Sequence, residues 1–259
     1  MSKRQRFIIT SILSSLGFIA IQFLPDQYRF LSIGALGILT TLLLGWSLRE
    51  VLGFDMTLLV LVLPFFFTGG VGIFWFLIPA SIYVQITIVL LYGIGMYALC
   101  LTSNVYSVST IRTIALLRAA RGVGFILTLL AFFLGFDAIL SFRWPIYLNA
   151  LAASFLSFPL FFQGYWSIPL KREYSNELMK YSIISAISIG EIALALFFWP
   201  TTVIVGSLFL TIFCYMLLGM GQAKLEGRLF PQTIKEHLLV GTLVFIGMFM
   251  VTHWDSQFH

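Results

Sequence analysis

Long apolar runs separated by short gaps cover most of this 259-residue sequence. A membrane-spanning α-helix needs about 20 mainly apolar residues, with a range of about 17–25. The runs that meet this requirement are 7–24, 30–47, 57–79, 82–101, 122–141, 145–165, 181–199, 201–221 and 238–254. The sequence therefore predicts an all-α polytopic integral membrane helix bundle of eight or nine transmembrane helices.

The cationic residues are distributed unevenly among the gaps. Thirteen of the fifteen Lys and Arg residues fall in alternate gaps, and the other gaps hold only Arg29 and Arg143. Cytoplasmic loops carry an excess of Lys and Arg, so the basic gaps are predicted to lie inside. The N-terminus is then cytoplasmic, the C-terminus is outside and the number of spans is odd. The topology and interface anchors of the longer inner gaps are Arg112, Arg118, Arg121, Lys171 and Arg172.

Composition excludes a soluble domain of this size. Hydrophobic residues make up 60% of the chain and charged residues 10%, whereas soluble domains are typically about 45–50% apolar and about 25% charged. The net charge of +5 is spread over the ends of the apolar runs rather than gathered into a patch, so no nucleic-acid partner is expected. Residues 1–259 are interpreted as a single membrane domain whose first run is an uncleaved span.

Two regions leave the topology open. Gly69-Gly70 and Pro79 interrupt the apolar stretch 57–101, which is either two full spans or one span and a re-entrant segment. Residues 102–121 form the longest predicted inner loop. Its helix formers indicate either a short interfacial helix or an extension of the fifth span whose arginines reach back to the interface.

The most prominent candidate site residue is Glu191, in the middle of the predicted seventh span. A charged side chain at that depth costs at least about 2.5 kcal/mol, so the carboxyl is expected to face protein or water. Ser182, Ser185 and Ser188 precede it at intervals of three residues and indicate an inward polar face. Two interpretations remain: a proton- or cation-binding site, or a hydrogen-bonded carboxyl that joins two helices.

A second candidate lies in the third run, where Pro64 precedes the segment from Thr68 through Gly69 and Gly70 to Gly72. Proline removes a helical hydrogen bond and glycine permits unwinding. An irregular backbone at membrane depth requires surrounding protein or a wet cavity. The segment is thus predicted to be either a broken helix at a binding site or a simple packed kink.

Other polar residues give weaker indications. Asp137 and Arg143 flank the predicted outer turn between the fifth and sixth runs, where an exposed ion pair would contribute about 0–1 kcal/mol. The sequence contains no zinc-protease, nucleophile-elbow or phosphate-loop motif, and its three histidines and two cysteines are scattered. No metal, cofactor or catalytic residue is predicted.

One segment has a known counterpart. The sequence NVYSVSTIRTIALLRAA at 104–120, leading into GVGF at 122–125, resembles a stretch found in a family of uncharacterised bacterial polytopic membrane proteins. The resemblance implies a bacterial plasma membrane, and it carries no activity, cofactor or site residue with it.

These features favour a non-enzymatic function. The first hypothesis is a subunit or scaffold of a membrane or envelope assembly, whose partners are the lipid bilayer and other membrane protein subunits. The alternative is a small secondary transporter, in which Glu191 couples proton or cation movement and the helix is broken at Thr68–Gly72.

Overall fold

The computed structural model describes residues 2–52, 56–77, 81–111 and 115–252. Within these ranges the chain forms nine α-helices, two 3-10 helices (Asp26–Tyr28 and Met56–Leu61) and no strand. The α-helices are α1 Lys3–Ile21, α2 Arg29–Leu48, α3 Val62–Leu77, α4 Ile82–Ser109, α5 Leu117–Ser141, α6 Ile146–Trp166, α7 Asn176–Leu196, α8 Val203–Leu225 and α9 Pro231–Val251. The predicted all-α fold is confirmed.

Eight of the helical segments described are long and apolar enough to cross a membrane, judged by length and composition. They include α2, α4 to α9 and the segment Thr57–Leu77, in which a 3-10 helix leads into α3. The remaining helix, α1, carries Lys3, Arg4 and Arg6 in its first turn. Ser2 caps that turn, because its hydroxyl accepts from the Gln5 amide while the Gln5 side chain accepts from the Ser2 amide.

Helical structure extends into the predicted inner loop 102–121 from both sides. Helix α4 continues to Ser109 and α5 already begins at Leu117. The polar residues in the last turns of α4 satisfy their hydroxyls within the helix, as Ser107 does by donating to the Ser103 carbonyl at 2.9 Å. Arg118 and Arg121 lie in the first turns of α5, continuous with the helix of the fifth apolar run. Arg112 lies outside the described residues.

The described chain divides into two compact units. Unit 1 comprises residues 1–134 and 170–175, and unit 2 comprises residues 135–169 and 176–259. In unit 1, α1 packs on α2 and α4, and α3 packs on α2 and α4. In unit 2, α6 packs extensively on α7, while α8 contacts α6, α7 and α9.

Hydroxyl groups join the helices of unit 1. Thr68 of α3 lies 3.2 Å from the Thr40 hydroxyl of α2 and 3.0 Å from the Tyr92 hydroxyl of α4. Ser11 of α1 donates to the Gly93 carbonyl of α4 at 2.6 Å. Such short polar contacts hold helices together where the surrounding lipid is as apolar as the side chains.

Candidate functional site

The serines of α7 and Glu191 do not lie on one face of the helix. Ser182 and Ser185 are buried, Ser188 is half-buried and Glu191 is exposed. An α-helix advances 100° per residue, so each step of three residues falls 60° short of a full turn. Three such steps place Glu191 on the side opposite Ser182. Of the two predicted surroundings of Glu191, protein or water, packing against the described protein is not observed, because an i+3 series drifts around the helix.

Ser185 has a structural partner. Its hydroxyl lies 2.7 Å from the hydroxyl of Tyr165 in α6, and Tyr165 also donates to the Leu217 carbonyl of α8 at 3.1 Å. All three groups are buried or half-buried in unit 2. These hydrogen bonds hold α6, α7 and α8 together, and the Ser185 hydroxyl forms one of them.

Of the two alternatives for the third run, a broken helix or a packed kink, the broken helix is not observed in α3. The helix runs without interruption from Val62 to Leu77 through Thr68, Gly69 and Gly70. Pro64 lies in the first turn of α3, where a missing N–H costs no helical hydrogen bond. The proline thus marks the beginning of the helix. Thr68 belongs to unit 1 and Glu191 to unit 2.

A different carboxyl is buried. Asp137 is 4% exposed, near the C-terminal end of α5, with the Ser207 side chain of α8 beside it. Its Oδ1 atom has no hydrogen-bond partner among the described residues. Asp137 forms no ion pair with Arg143, and its burial contradicts the solvated loop that was expected here. Sequence reasoning missed the burial of Asp137 because its run was expected to end at a solvated turn. The available signal was its position within the apolar run 122–141.

A cavity of about 840 Å³ lies in unit 2, where α5 and α7 end and α6 and α8 begin. We call it the Arg143 cavity. Its lining includes the polar residues Arg143, Asn149, Thr201 and Thr202, the rings of Trp144 and Trp199, and apolar residues of α7. This volume falls within the range of about 300–1,000 Å³ that is usual for ligand pockets.

Two polar side chains of the Arg143 cavity are unusual. Arg143 has a backbone φ of 49°, which is uncommon for a residue other than glycine. It forms no ion pair or side-chain hydrogen bond within the part of the chain that the structure describes. Asn149 is 5% exposed; its Nδ2 donates to the Trp144 carbonyl at 3.0 Å, and its Oδ1 has no described partner.

Three of the other predicted anchors are exposed. Lys171 and Arg172 are exposed in the segment between α6 and α7, and Arg118 is exposed on α5. Cys100 and Cys214 are buried and unpaired. Within the described residues, no three His, Cys, Asp or Glu side chains are grouped as metal ligands would be.

The helices and their apolar composition define a polytopic all-α protein of the membrane type. Residues 11–251 match the model of the family described as "Protein of unknown function (DUF5656)". The chain belongs to this family, which is uncharacterised. No curated protein and no solved structure matches the chain.

Proposed function

We propose that this protein is a non-enzymatic subunit or scaffold of a membrane or envelope assembly, and that it binds another membrane protein through α7. One observation supports this proposal above all: Glu191 lies on the exposed side of α7 without a hydrogen bond or ion pair to any described residue. Five residues separate it from the end of α7 at Leu196, or about 8 Å at 1.5 Å per residue.

An exposed carboxyl at that depth is unfavourable in lipid alone. Charged side chains cost about 2.5–3.5 kcal/mol at a helix centre on insertion scales, which is an upper bound for Glu191 because it lies nearer the end of α7. A donor group on a neighbouring helix would offset part of this cost, since a polar pair between membrane helices is worth roughly 0.6–2 kcal/mol. A partner that supplies a basic or hydrogen-bonding side chain opposite Glu191 satisfies the carboxyl.

The surroundings of Glu191 have the spacing of a helix–helix contact. Ile184, Ile187 and Leu194 are 61%, 53% and 44% exposed, and with Glu191 they form a row at intervals of three, four and three residues. We call this row the α7 stripe. Alternating intervals of three and four keep one seam facing a partner helix, and a single polar residue in such a seam selects the partner and its register.

The membrane and orientation are part of the proposal. Alternation of the basic gaps supports a cytoplasmic N-terminus and an external C-terminus, and the resemblance of residues 104–125 supports a bacterial plasma membrane. Tags at the two termini should be accessible from opposite sides of sealed vesicles. Accessibility of both tags from one side contradicts this orientation.

Cysteine crosslinking in native membranes tests whether another membrane protein contacts α7. Cys100 and Cys214 are buried, so a cysteine introduced at Ile187 becomes the reactive thiol. Leu151 on α6 is 65% exposed and provides a matched control on another helix of unit 2. We expect Ile187→Cys to give a crosslinked species with a second membrane protein, and Leu151→Cys to give none.

The contribution of the carboxyl is tested in the same assay. Glu191→Leu should abolish the Ile187→Cys product, whereas Glu191→Gln should retain part of it because the amide still forms hydrogen bonds. An equal yield of product with and without the Glu191→Leu substitution would disprove the role of the carboxyl. A protein that remains monomeric and uncrosslinked in native membranes would overturn the subunit proposal itself.

A further inference from the structure

We propose that the Arg143 cavity binds the headgroup of a phospholipid, with its phosphate at Arg143 and a headgroup hydroxyl or ammonium donor at Asn149. This site is separate from the α7 stripe and does not depend on the partner proposal. In the predicted orientation the cavity opens at the external face of the membrane, which makes outer-leaflet lipids the accessible ligands.

The charge distribution favours an anion. Arg143 contributes a guanidinium that has no carboxylate partner among the described residues, and the described lining contains no carboxylate. The N-termini of α6 and α8 border the same cavity, and helix N-termini favour negative charge through their free N–H groups and dipoles. Asp137 lies about one helical turn deeper along α5 and is not part of the lining.

The backbone conformation of Arg143 is one that glycine usually adopts. A residue at a helix C-terminus with positive φ is usually glycine, which adopts this conformation without strain. The sequence has arginine there, although a non-glycine residue with such a backbone costs of order 1–3 kcal/mol. Arg143 lines the cavity, where contact of its guanidinium with an anionic ligand would offset that cost.

Asn149 adds a requirement for a donor. Its Nδ2 donates to the Trp144 carbonyl, so Oδ1 is the side-chain atom that has no partner among the described residues. A buried acceptor without a partner is costly. Oδ1 is itself buried, so a donor on the ligand reaches it when the Asn149 side chain turns toward the cavity that the residue lines. A phosphate paired with a neighbouring hydroxyl or ammonium group, as in phosphatidylglycerol or phosphatidylethanolamine, satisfies both residues.

The apolar walls favour a lipid over a soluble phosphate ester. Ala193, Leu196 and Phe197 line the side of the cavity formed by α7, and Phe197 and Phe198 continue outward as exposed rings. Trp144 and Trp199 lie at the ends of helices, where aromatic rings settle at the level of the headgroups. A headgroup in the cavity would thus leave its acyl chains along an apolar surface.

Native mass spectrometry of the full-length protein in a non-ionic detergent tests the site. The ligands are short-chain phosphatidylglycerol, short-chain phosphatidylcholine, whose headgroup has no donor, and glycerol 3-phosphate, which has no acyl chains. We expect phosphatidylglycerol to bind at least about tenfold more tightly than either of the others, a difference of about 1.4 kcal/mol. Equal binding of the two lipids, or full competition by glycerol 3-phosphate, overturns the proposal.

Variants assign the binding to the cavity. Arg143→Asn removes the cation at a position whose backbone asparagine tolerates, and it should weaken phosphatidylglycerol about tenfold. Arg172→Asn removes an exposed cation outside unit 2 and should change nothing. Equal losses with both variants would indicate nonspecific attraction and refute the site. Asn149→Leu should reduce the preference for phosphatidylglycerol over phosphatidylcholine; if it does not fold, the Arg143 comparison still decides.

Discussion

The guanidinium of Arg6, in the first turn of α1, is buried against the carboxylate of Glu50, two residues beyond the end of α2. The Arg6 side chain is 4% exposed and the Glu50 side chain 50%. Lys3 approaches the other carboxylate oxygen at 3.2 Å. Glu50 is the described counter-charge for a buried arginine, so it fixes the beginning of α1 to the end of α2.

This pair predicts a specific loss of stability in acid. The hydrogen bond from Arg6, followed by that from Lys3, lowers the pKa of Glu50 below its usual value of 4.5. A lowered folded-state pKa contributes stability that is fully present above the usual pKa and is lost as pH falls through the folded-state value. Glu50→Gln should therefore lower the melting temperature at pH 7, and the difference from the natural protein should shrink below about pH 4.5.

The matched control is Glu173→Gln, since Glu173 is exposed in the segment before α7. It should leave both the melting temperature and its pH dependence unchanged. Melting of the purified protein between pH 3 and 7 makes the comparison. If Glu50→Gln follows the same pH curve as the natural protein, the pair does not stabilise the fold.

The presence of each helix could be predicted from the sequence because hydropathy is a local property of the chain. Each of the nine apolar runs lies mainly within one helix. The ends were less predictable, since hydroxyl residues such as Ser107 remain helical once their side chains bond to backbone carbonyls. The side on which a residue lies was the hardest to predict. Asp137 is buried where a solvated turn was expected, and Glu191 lies on the exposed side of α7, because burial depends on neighbouring helices that a single sequence does not reveal.

The unbroken α3 predicts opposite effects for two of its glycines. A Cβ at Gly69 meets nothing within 4 Å, whereas a Cβ at Gly72 would lie 2.7 Å from Ile33 Cγ2 and 3.1 Å from Ile33 Cγ1. Gly69→Ala should stabilise the protein by up to about 1 kcal/mol, the difference in helix propensity. Gly72→Ala should destabilise it by about 1–3 kcal/mol through overpacking. Thermal melting in detergent measures both, and a loss of stability with Gly69→Ala would favour an unwound segment.

The positions of the two carboxyls predict a labelling pattern. A hydrophobic carbodiimide partitions into the apolar phase and modifies protonated carboxyls that it can reach. Glu191 is exposed and Asp137 is 4% exposed, so purified protein should be labelled at Glu191 and not at Asp137. Peptide mass spectrometry locates the adduct, and Glu191→Gln should remove it. Labelling of Asp137 instead would contradict the assigned faces of α5 and α7.

The hydroxyl of Tyr165 should contribute measurably to unit 2, because it bonds to both Ser185 and the Leu217 carbonyl. Tyr165→Phe removes both bonds while the ring remains. It should lower stability by about 0.6–1.7 kcal/mol, from the average to the largest value found for hydrogen bonds between membrane helices. Tyr174→Phe, at a residue that is 54% exposed, should have no effect. Ser185→Ala should cost less in the Tyr165→Phe background, because the two hydroxyls bond to each other. Additive losses in melting experiments would show that the pair is not coupled.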